Sequence, residues 1–477
     1  VTSPVRVRFA PSPTGVMHIG NIRAALLNYL FAHQKKGTFI LRIEDTDAER
    51  NFDPGAKTII ADLTWLSLFY DEGPEKGGPD APYFQSERQS LYQNTLDQLI
   101  EKKLVYRCFC TEEELEKKRE RQRALKLPPR YDRACLRMPK AEIEKRLAQG
   151  IPFVWRFMLN HDVTIKITDL ARGTVSFDLK NFSDFPLTRS DGSFTFMFAN
   201  FVDDMLMKIT HVFRGEDHLS NTAGQAALYQ AFNAPVPIFW HLPIICNVDG
   251  TKLSKRDFGF SLHDLKNAGF LPQAINNYLA IIGGSYPNEI MNMEELAQVF
   301  NFETPYTSGT IKYDVEKLRW VNHQWINRLS DQELADATLP YLVKVFPSAA
   351  QIDKKKLVQM LQIIKSDLYT LQDAANALKF YFESPQLQKI SFQACISPDN
   401  LATIANIIRE NIGHINDTFV DAVKAASKQH NIPIKETFWF LRLALMGEIN
   451  GPSIHDLITI LGPKVSKERI EQALQLI

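Results

Sequence analysis

Hydrophobic and polar positions change period three times in the first fifty residues. Val5, Val7 and Phe9 alternate with Arg6 and Arg8, a repeat of two that predicts a half-buried strand. The turn that follows, APSPTG at 10–15, is too rich in Pro and Gly to continue a regular element. Across 21–32 (NIRAALLNYLFA) the apolar residues recur at helical spacing, and 38–43 (TFILRI) reads as a second, buried strand. Strand, helix and strand joined by short turns make the opening βαβ unit of a parallel α/β sheet. The working edge of such a sheet is the carboxyl end of its first strand.

Residues 71–190 read as an insertion into that sheet. A Gly/Pro-rich stretch at 73–82 opens it, a charged helix is expected over 112–123, and short alternating strands at 153–157 and 163–167. The α/β pattern resumes near 196–198 and continues through a strand at 210–214, a helix over 222–232 and a strand at 238–243. From about 325 onward strand alternation is nearly absent. Helix-period segments at 355–365, 401–411, 419–429 and 436–446 predict an all-α domain over 326–477. A length of 477 residues accommodates about three domains.

Composition narrows the class. A hydrophobic share of 45% with 31 Phe and 6 Trp is globular rather than disordered. Five Cys, an odd and low number, argue against a secreted disulfide scaffold and suit a reducing cytosol. No apolar run approaches the ~18–20 residues of a membrane span, and the first residues do not read as a signal peptide. A cytoplasmic protein is therefore expected, with no membrane and no reason to expect more than a monomer. Lys+Arg and Asp+Glu each number 55, so net charge gives no reason to expect nucleic acid. A partner as acidic as RNA needs a local basic surface. The segment 117–137, where Lys and Arg far outnumber Asp and Glu, is the candidate.

Two turns carry candidate chemistry. At His18-Ile19-Gly20-Asn21 a glycine at a helix mouth permits close approach of a ligand, and unpaired N–H groups of the first turn favour anions. His18 can donate to a phosphate; the alternative is a helix cap with a solvated histidine. Far downstream, 249–256 (DGTKLSKR) places Lys252, Ser254 and Lys255 on one loop, where they could stabilise a polyphosphate leaving group. A third cluster, Cys108, Cys110 and Cys135, suggests zinc, because soft thiolates suit that metal; buried, metal-free thiols are the alternative.

The strings HIGN and KLSKR resemble the two signatures of class I aminoacyl-tRNA synthetases. More narrowly, RFAPSPTGVMHIGNIRAALLNYLFA, LRIEDTD, VFRGEDH and DGTKLSKRDF resemble bacterial-type glutamyl-tRNA synthetases, most clearly over 5–55 and 194–325. The resemblance implies a Rossmann-like α/β catalytic domain (1–70 and 191–260) with an inserted subdomain for the tRNA acceptor end (71–190). A linking domain (261–325) and an all-helical anticodon-binding domain (326–477) would follow. It also implies glutamate, ATP, magnesium and tRNA(Glu) as substrates and cofactor, with tRNA(Gln) a further acceptor in a non-discriminating form. A nucleotidyltransferase without tRNA, and a catalytically inactive tRNA-binding paralogue, are the rival readings.

Residue by residue, the resemblance implies that His18, Gly20, Lys252, Ser254 and Lys255 are catalytic, with Asp217 and Ile245 beside the adenosine. Arg8, Ala10, Ser12, Glu44, Phe196, Asn200 and Arg214 would surround glutamate: the arginines for its carboxylates, Glu44 for its ammonium. Lys317 and Trp320 match positions that approach tRNA, although Trp320 could equally anchor a core. Some relatives hold zinc at the insertion, and one variant uses Tyr-x-x-x-Cys, which makes Tyr131 the fourth ligand here. Two positions depart from the pattern. Asn21 stands where many members carry a second histidine, and Phe196 stands where the family usually has Tyr, so a hydroxyl donor is missing.

Overall fold

The structure, a computed structural model, describes residues 4–13, 15–46, 53, 55–254, 256–303, 309–413, 415 and 418–477. Two compact units divide the chain: 1–264 with 275–315, and 265–274 with 316–477.

In the first unit β1 (Arg6–Phe9) leads to α1 (Ile19–Lys35) and back to β2 (Thr38–Leu41), with Arg6 opposite Thr38 in a parallel pair. The helix forms because Ile22, Leu26, Leu27, Leu30 and Phe31 all reach the core, and its last turn carries the cation Lys35. Then come α2 (Lys57–Trp65), α3 (Gln89–Glu101), β3 (Val105–Cys108), α4 (Glu112–Ala124) and α5 (Lys140–Ala148). Four short strands follow: β4 (Val154–Phe157), β5 (Thr164–Asp169), β6 (Gly173–Asp178) and β7 (Phe185–Pro186). The unit continues through α6 (Phe196–Leu206), β8 (His211–Gly215), α7 (Leu219–Ala231), β9 (Ile238–Leu242), β10 (Ile245–Asn247) and β11 (Ile311–Tyr313).

The principal sheet has the order β6-β5-β9-β8, with β8 and β9 parallel. β1 joins the β8 side: Thr210 N–H donates to Arg6 O, and Arg6 N–H to Thr210 Oγ1, both at 2.9 Å. Strand β5 belongs to the inserted segment, yet it pairs in parallel with β9 at Asp169 and Phe239. A hydrophobic core of Leu96, Ile165, Phe198, Phe201, Leu228 and Phe239 lies beneath, drawn from both the insertion and the sheet. The second unit is helical, and no strand occurs among its described residues. Its helix Asp331–Val345 starts at a Ser330/Glu333 capping box, and Ser397 and Ser453 cap Pro398–Asn411 and Ile454–Leu461. Among the described residues no helix is long and apolar enough to cross a membrane.

Candidate active site

A cleft of about 860 Å³ opens at the carboxyl ends of β1 and β8, where a parallel sheet presents its ligand site. It brings together Arg8, Ala10, Ser12, His18, Gly20, Glu44, Phe196, Asn200, Arg214, Asp217, Ile245, Lys252 and Ser254. Lys255, Thr14 and Asp47 lie outside the described residues.

His18 stands before α1 with extended backbone and caps it with its ring. Nδ1 accepts from Gly20 N–H at 3.1 Å and Asn21 N–H at 3.4 Å, while Asn21 Oδ1 accepts from His18 N–H at 3.4 Å. Ile19 N–H donates to Phe260 O, and Ile22 N–H to His18 O, both at 3.0 Å. The expectation of unpaired N–H groups in this first turn is therefore corrected: the protein satisfies all four itself. The reason for the glycine changes too. A Cβ on Gly20 would sit 3.0 Å from His18 Cε1, so its smallness gives room to the imidazole. With Nδ1 accepting, the neutral ring carries its proton on Nε2, the nitrogen left to donate. Burial lowers the His18 pKa; Asp217 opposes this, and Lys252 adds to it.

The second turn sits across the cleft. Asp249 Oδ1 accepts from Thr251 N–H at 2.9 Å and closes the loop, which returns through an antiparallel bridge between Cys246 and Lys252. Lys252 is exposed and makes no ion pair among the described residues. Ser254 turns inward on its own loop: its N–H and hydroxyl donate to Asp257 Oδ2 at 2.7 and 2.8 Å.

The two arginines differ sharply. Arg8 is clasped by Asp204, Nε to Oδ1 at 3.0 Å and Nη2 to Oδ2 at 3.2 Å. Arg214 is equally buried but has only neutral partners: Nη2 donates to Thr222 Oγ1 and Gln225 Oε1, each at 2.7 Å. Its Nε is buried without a partner, and it makes no ion pair among the described residues. Burial first, then Arg8, pulls its pKa down to about 10. That still leaves a guanidinium at pH 7, a buried cation without a counter-charge in contact. Arg214 is thus neither at the surface nor ion-paired among the described residues. Glu44 is buried between Asn200 Nδ2, which donates to Oε1 at 2.6 Å, and Arg42 Nη2 at 3.3 Å. Burial pushes its pKa up against the pull of Arg42 and Arg8. Asp45, its neighbour, instead accepts from Ser86 N–H and Oγ. Phe196 packs on His218, ring centroids 5.5 Å apart.

Comparison with known proteins now decides the family. Residues 4–320 match the model described as tRNA synthetases class I (E and Q), catalytic domain, and 333–474 match an anticodon binding domain. The glutamate–tRNA ligase of Finegoldia magna is 36% identical over 99% of both chains, and that of Carboxydothermus hydrogenoformans 37% identical over 98% of this chain and 99% of its own. The chain belongs to the glutamate–tRNA ligase family. A crystal structure of the Elizabethkingia meningosepticum glutamate–tRNA ligase in complex with its amino acid superposes with a TM-score of 0.87, at 32% identity over 99% of each chain.

Several residues of this synthetase that shape the site were not foreseen. Arg42, buried, meets Asp204 at 2.6 Å and Asp203 at 3.7 Å, and Asp203 also holds Arg88 at 2.6 Å. Gln225 Nε2 donates to Asn200 Oδ1 at 3.1 Å and so ties the Arg214 side of the pocket to Glu44. An acid pair within the apolar run FANFVDDML was the available signal, since such groups stay buried only when paired.

The thiol cluster also assembles. The ligand atoms of Cys108, Cys110 and Cys135 lie within 4.8 Å of one another, with Cys110 and Cys135 Sγ 3.5 Å apart. Tyr131 Oη joins them, 3.3 Å from Cys108 Sγ and 4.0 Å from Cys110 Sγ. Hydrogen bonding from Cys135, then Tyr131 and Arg156, draws the Cys108 pKa down against the effect of burial. The basic segment is less basic than its sequence. Lys117 pairs with Glu113, Lys118 with Asp132, Arg119 and Arg123 with Glu116, and Arg133 with Asp184. In the helical unit Trp320 is half-buried, with the Lys317 ammonium 4.2 Å above its ring.

Proposed function

We propose that this cleft activates L-glutamate with ATP and that the chain then charges tRNA(Glu). Arg214 carries the reading: a buried, charged guanidinium with no acid against it calls for a carboxylate ligand. A glutamate carboxylate oxygen attacks the α-phosphorus of ATP; a P–O bond forms, and the bond to pyrophosphate breaks. Glutamyl adenylate then gives its acyl group to the 2′-hydroxyl of the terminal adenosine, releasing AMP. His18 donates from Nε2 to the phosphates, Lys252 and Lys255 stabilise the charge growing on pyrophosphate, and Ser254, whose N–H and hydroxyl are given to Asp257, steadies the loop that carries them. Gly20 serves by leaving room for the His18 ring. Glu44 and Asn200 receive the ammonium, Ala10 and Ser12 line the pocket, and Asp217 and Ile245 flank the adenosine. Among the described residues two acids, Glu44 and Asp217, line the cleft, and Arg42 and Asn200 engage the first. Magnesium is thus held chiefly by the ATP phosphates, where it neutralises charge.

The domain assignment follows the same reading: 1–70 and 191–260 catalytic, 71–190 at the acceptor end, 261–325 linking, and 326–477 at the anticodon, with Lys317 and Trp320 near tRNA. Cys108, Cys110, Cys135 and Tyr131 would hold zinc. Tetrahedral sites with Zn–S near 2.3 Å place sulfurs about 3.8 Å apart, close to the arrangement here. Zinc would fix the insertion's fold. Elemental analysis of the purified protein is expected to give about one zinc per chain, lost in Cys135→Ser. Glutamate-dependent ATP–pyrophosphate exchange, with and without tRNA, tests the activity; no exchange under either condition sinks it. Charging of purified tRNA(Glu) and tRNA(Gln) tests the choice of acceptor.

A further inference from the structure

A buried polar line in the catalytic unit ends on Arg214. Asp169, the last residue of β5, is anchored on both oxygens. Oδ1 accepts from Ala171 N–H and Arg172 N–H at 3.0 Å, and Oδ2 accepts from His241 N–H at 3.1 Å. Asp169 Oδ2 also lies 2.7 Å from His241 Nδ1. His241, wholly buried on β9, places Nε2 2.8 Å from Thr222 Oγ1 on α7. Thr222 Oγ1, wholly buried as well, accepts from Arg214 Nη2 at 2.7 Å.

The ends of the line fix its polarity. A carboxylate only accepts, so His241 Nδ1 carries the proton. Burial holds the His241 pKa below its ordinary value despite Asp169, so the ring is neutral at pH 7 and Nε2 accepts. The Thr222 hydroxyl lies closer to Nε2, at 2.8 Å, than to its other acceptor, His218 O at 3.2 Å; it donates to Nε2 and turns its lone pairs to the guanidinium, which can only donate. The acid that anchors the line therefore stands two side chains away from Arg214. An arginine seated directly on an acid, as Arg8 is on Asp204, is already compensated. Arg214 is held as firmly yet keeps its charge for a ligand.

We propose that Asp169, His241 and Thr222 are positioning residues that hold Arg214 without neutralising it, and so set the preference for a carboxylate side chain over its amide. The proposal rests on the assignment of Arg214 to the amino-acid pocket. ATP–pyrophosphate exchange in the presence of tRNA, with glutamate and with glutamine, tests it on the full chain. Thr222→Val is expected to raise the glutamate KM about tenfold, the cost of one hydrogen bond to a charged group, with the ATP KM and kcat within about twofold. The kcat/KM preference for glutamate over glutamine falls with it. Thr222→Ser restores the hydroxyl and brings the glutamate KM back to within about twofold of wild type. His241→Phe added to Thr222→Val makes the KM no worse, because both break one line. An unchanged KM in Thr222→Val, a serine variant no better than valine, or effects that multiply in the double variant would overturn the relay. If His241→Phe does not fold, the valine and serine pair decides. A wild-type enzyme without glutamate-dependent exchange overturns the underlying reading as well. An active wild type with an unmoved Thr222→Val overturns the relay alone.

Discussion

Gly20 is small because His18 needs the space. Alanine there would press on Cε1 at 3.0 Å and drive the ring off the two amides it caps. We expect Gly20→Ala to cost about 1 kcal/mol of stability, as cap losses do, and to raise the ATP KM, because Nε2 no longer points from a fixed ring. Thermal unfolding with exchange kinetics reads both effects; a raised KM at unchanged stability would show that the cap is not the cause. Phe196 offers the converse experiment. It lines the cleft beside His218 without a polar atom, and Phe196→Tyr is expected to lower the glutamate KM a few-fold. An unchanged KM would mean that the missing hydroxyl does not matter. At this scale the sequence showed which residues gather but not how each is used. His18 and Arg214 were legible because their motifs are local. The contrast between compensated Arg8 and uncompensated Arg214 depends on Asp204, 196 residues from Arg8, and no spacing rule reaches that far.

Helix α6 holds Arg8, Arg42 and Arg88 through two adjacent acids on a mostly apolar element. Asp204 answers Arg8 and Arg42, and Asp203 answers Arg42 and Arg88. Asp204→Asn leaves two buried guanidinium groups short of charge, and a loss of about 3–5 kcal/mol is expected in urea unfolding. A loss below about 1 kcal/mol would show that water reaches the cluster. The longer elements matched their periodicity closely: the helix expected over 419–429 is Phe419–Gln429, and the strand expected over 238–243 is Ile238–Leu242. Their apolar faces repeat over several residues, and that repetition is the signal. β10 and β11 gave no such signal. Each has three residues, and Ile245 finds its partner at Ile311, so only the folded chain defines them.

The zero net charge of the whole molecule is a sum of local cancellations. In the basic segment 117–137, Lys117, Lys118, Arg119, Arg123 and Arg133 found acids nearby, while Arg214 in the cleft makes no ion pair among the described residues. Buried and half-buried imidazoles add a pH dependence to the whole. His18, His218 and His241 have lowered pKa values, and His211 is pushed down to about 4, mainly by burial and then by Lys35. The unfolded chain binds these protons near pH 6.5, and the folded chain does not. Stability therefore holds above about pH 6.5 and falls as pH drops toward 4. Urea midpoints between pH 7.5 and 4.5 should decline over that window, and a flat profile would contradict it. The strand β5 has a different consequence, for how such a protein can be taken apart. It lies in a segment that interrupts the α/β pattern in sequence, yet it supplies an inner strand of the sheet, and its last residue anchors the line to Arg214. The interruption is therefore not a cassette. Excising it would bare the edge of β9 and remove the anchor of the line to Arg214 together, so the segment cannot be cut out without exposing an unpaired sheet edge.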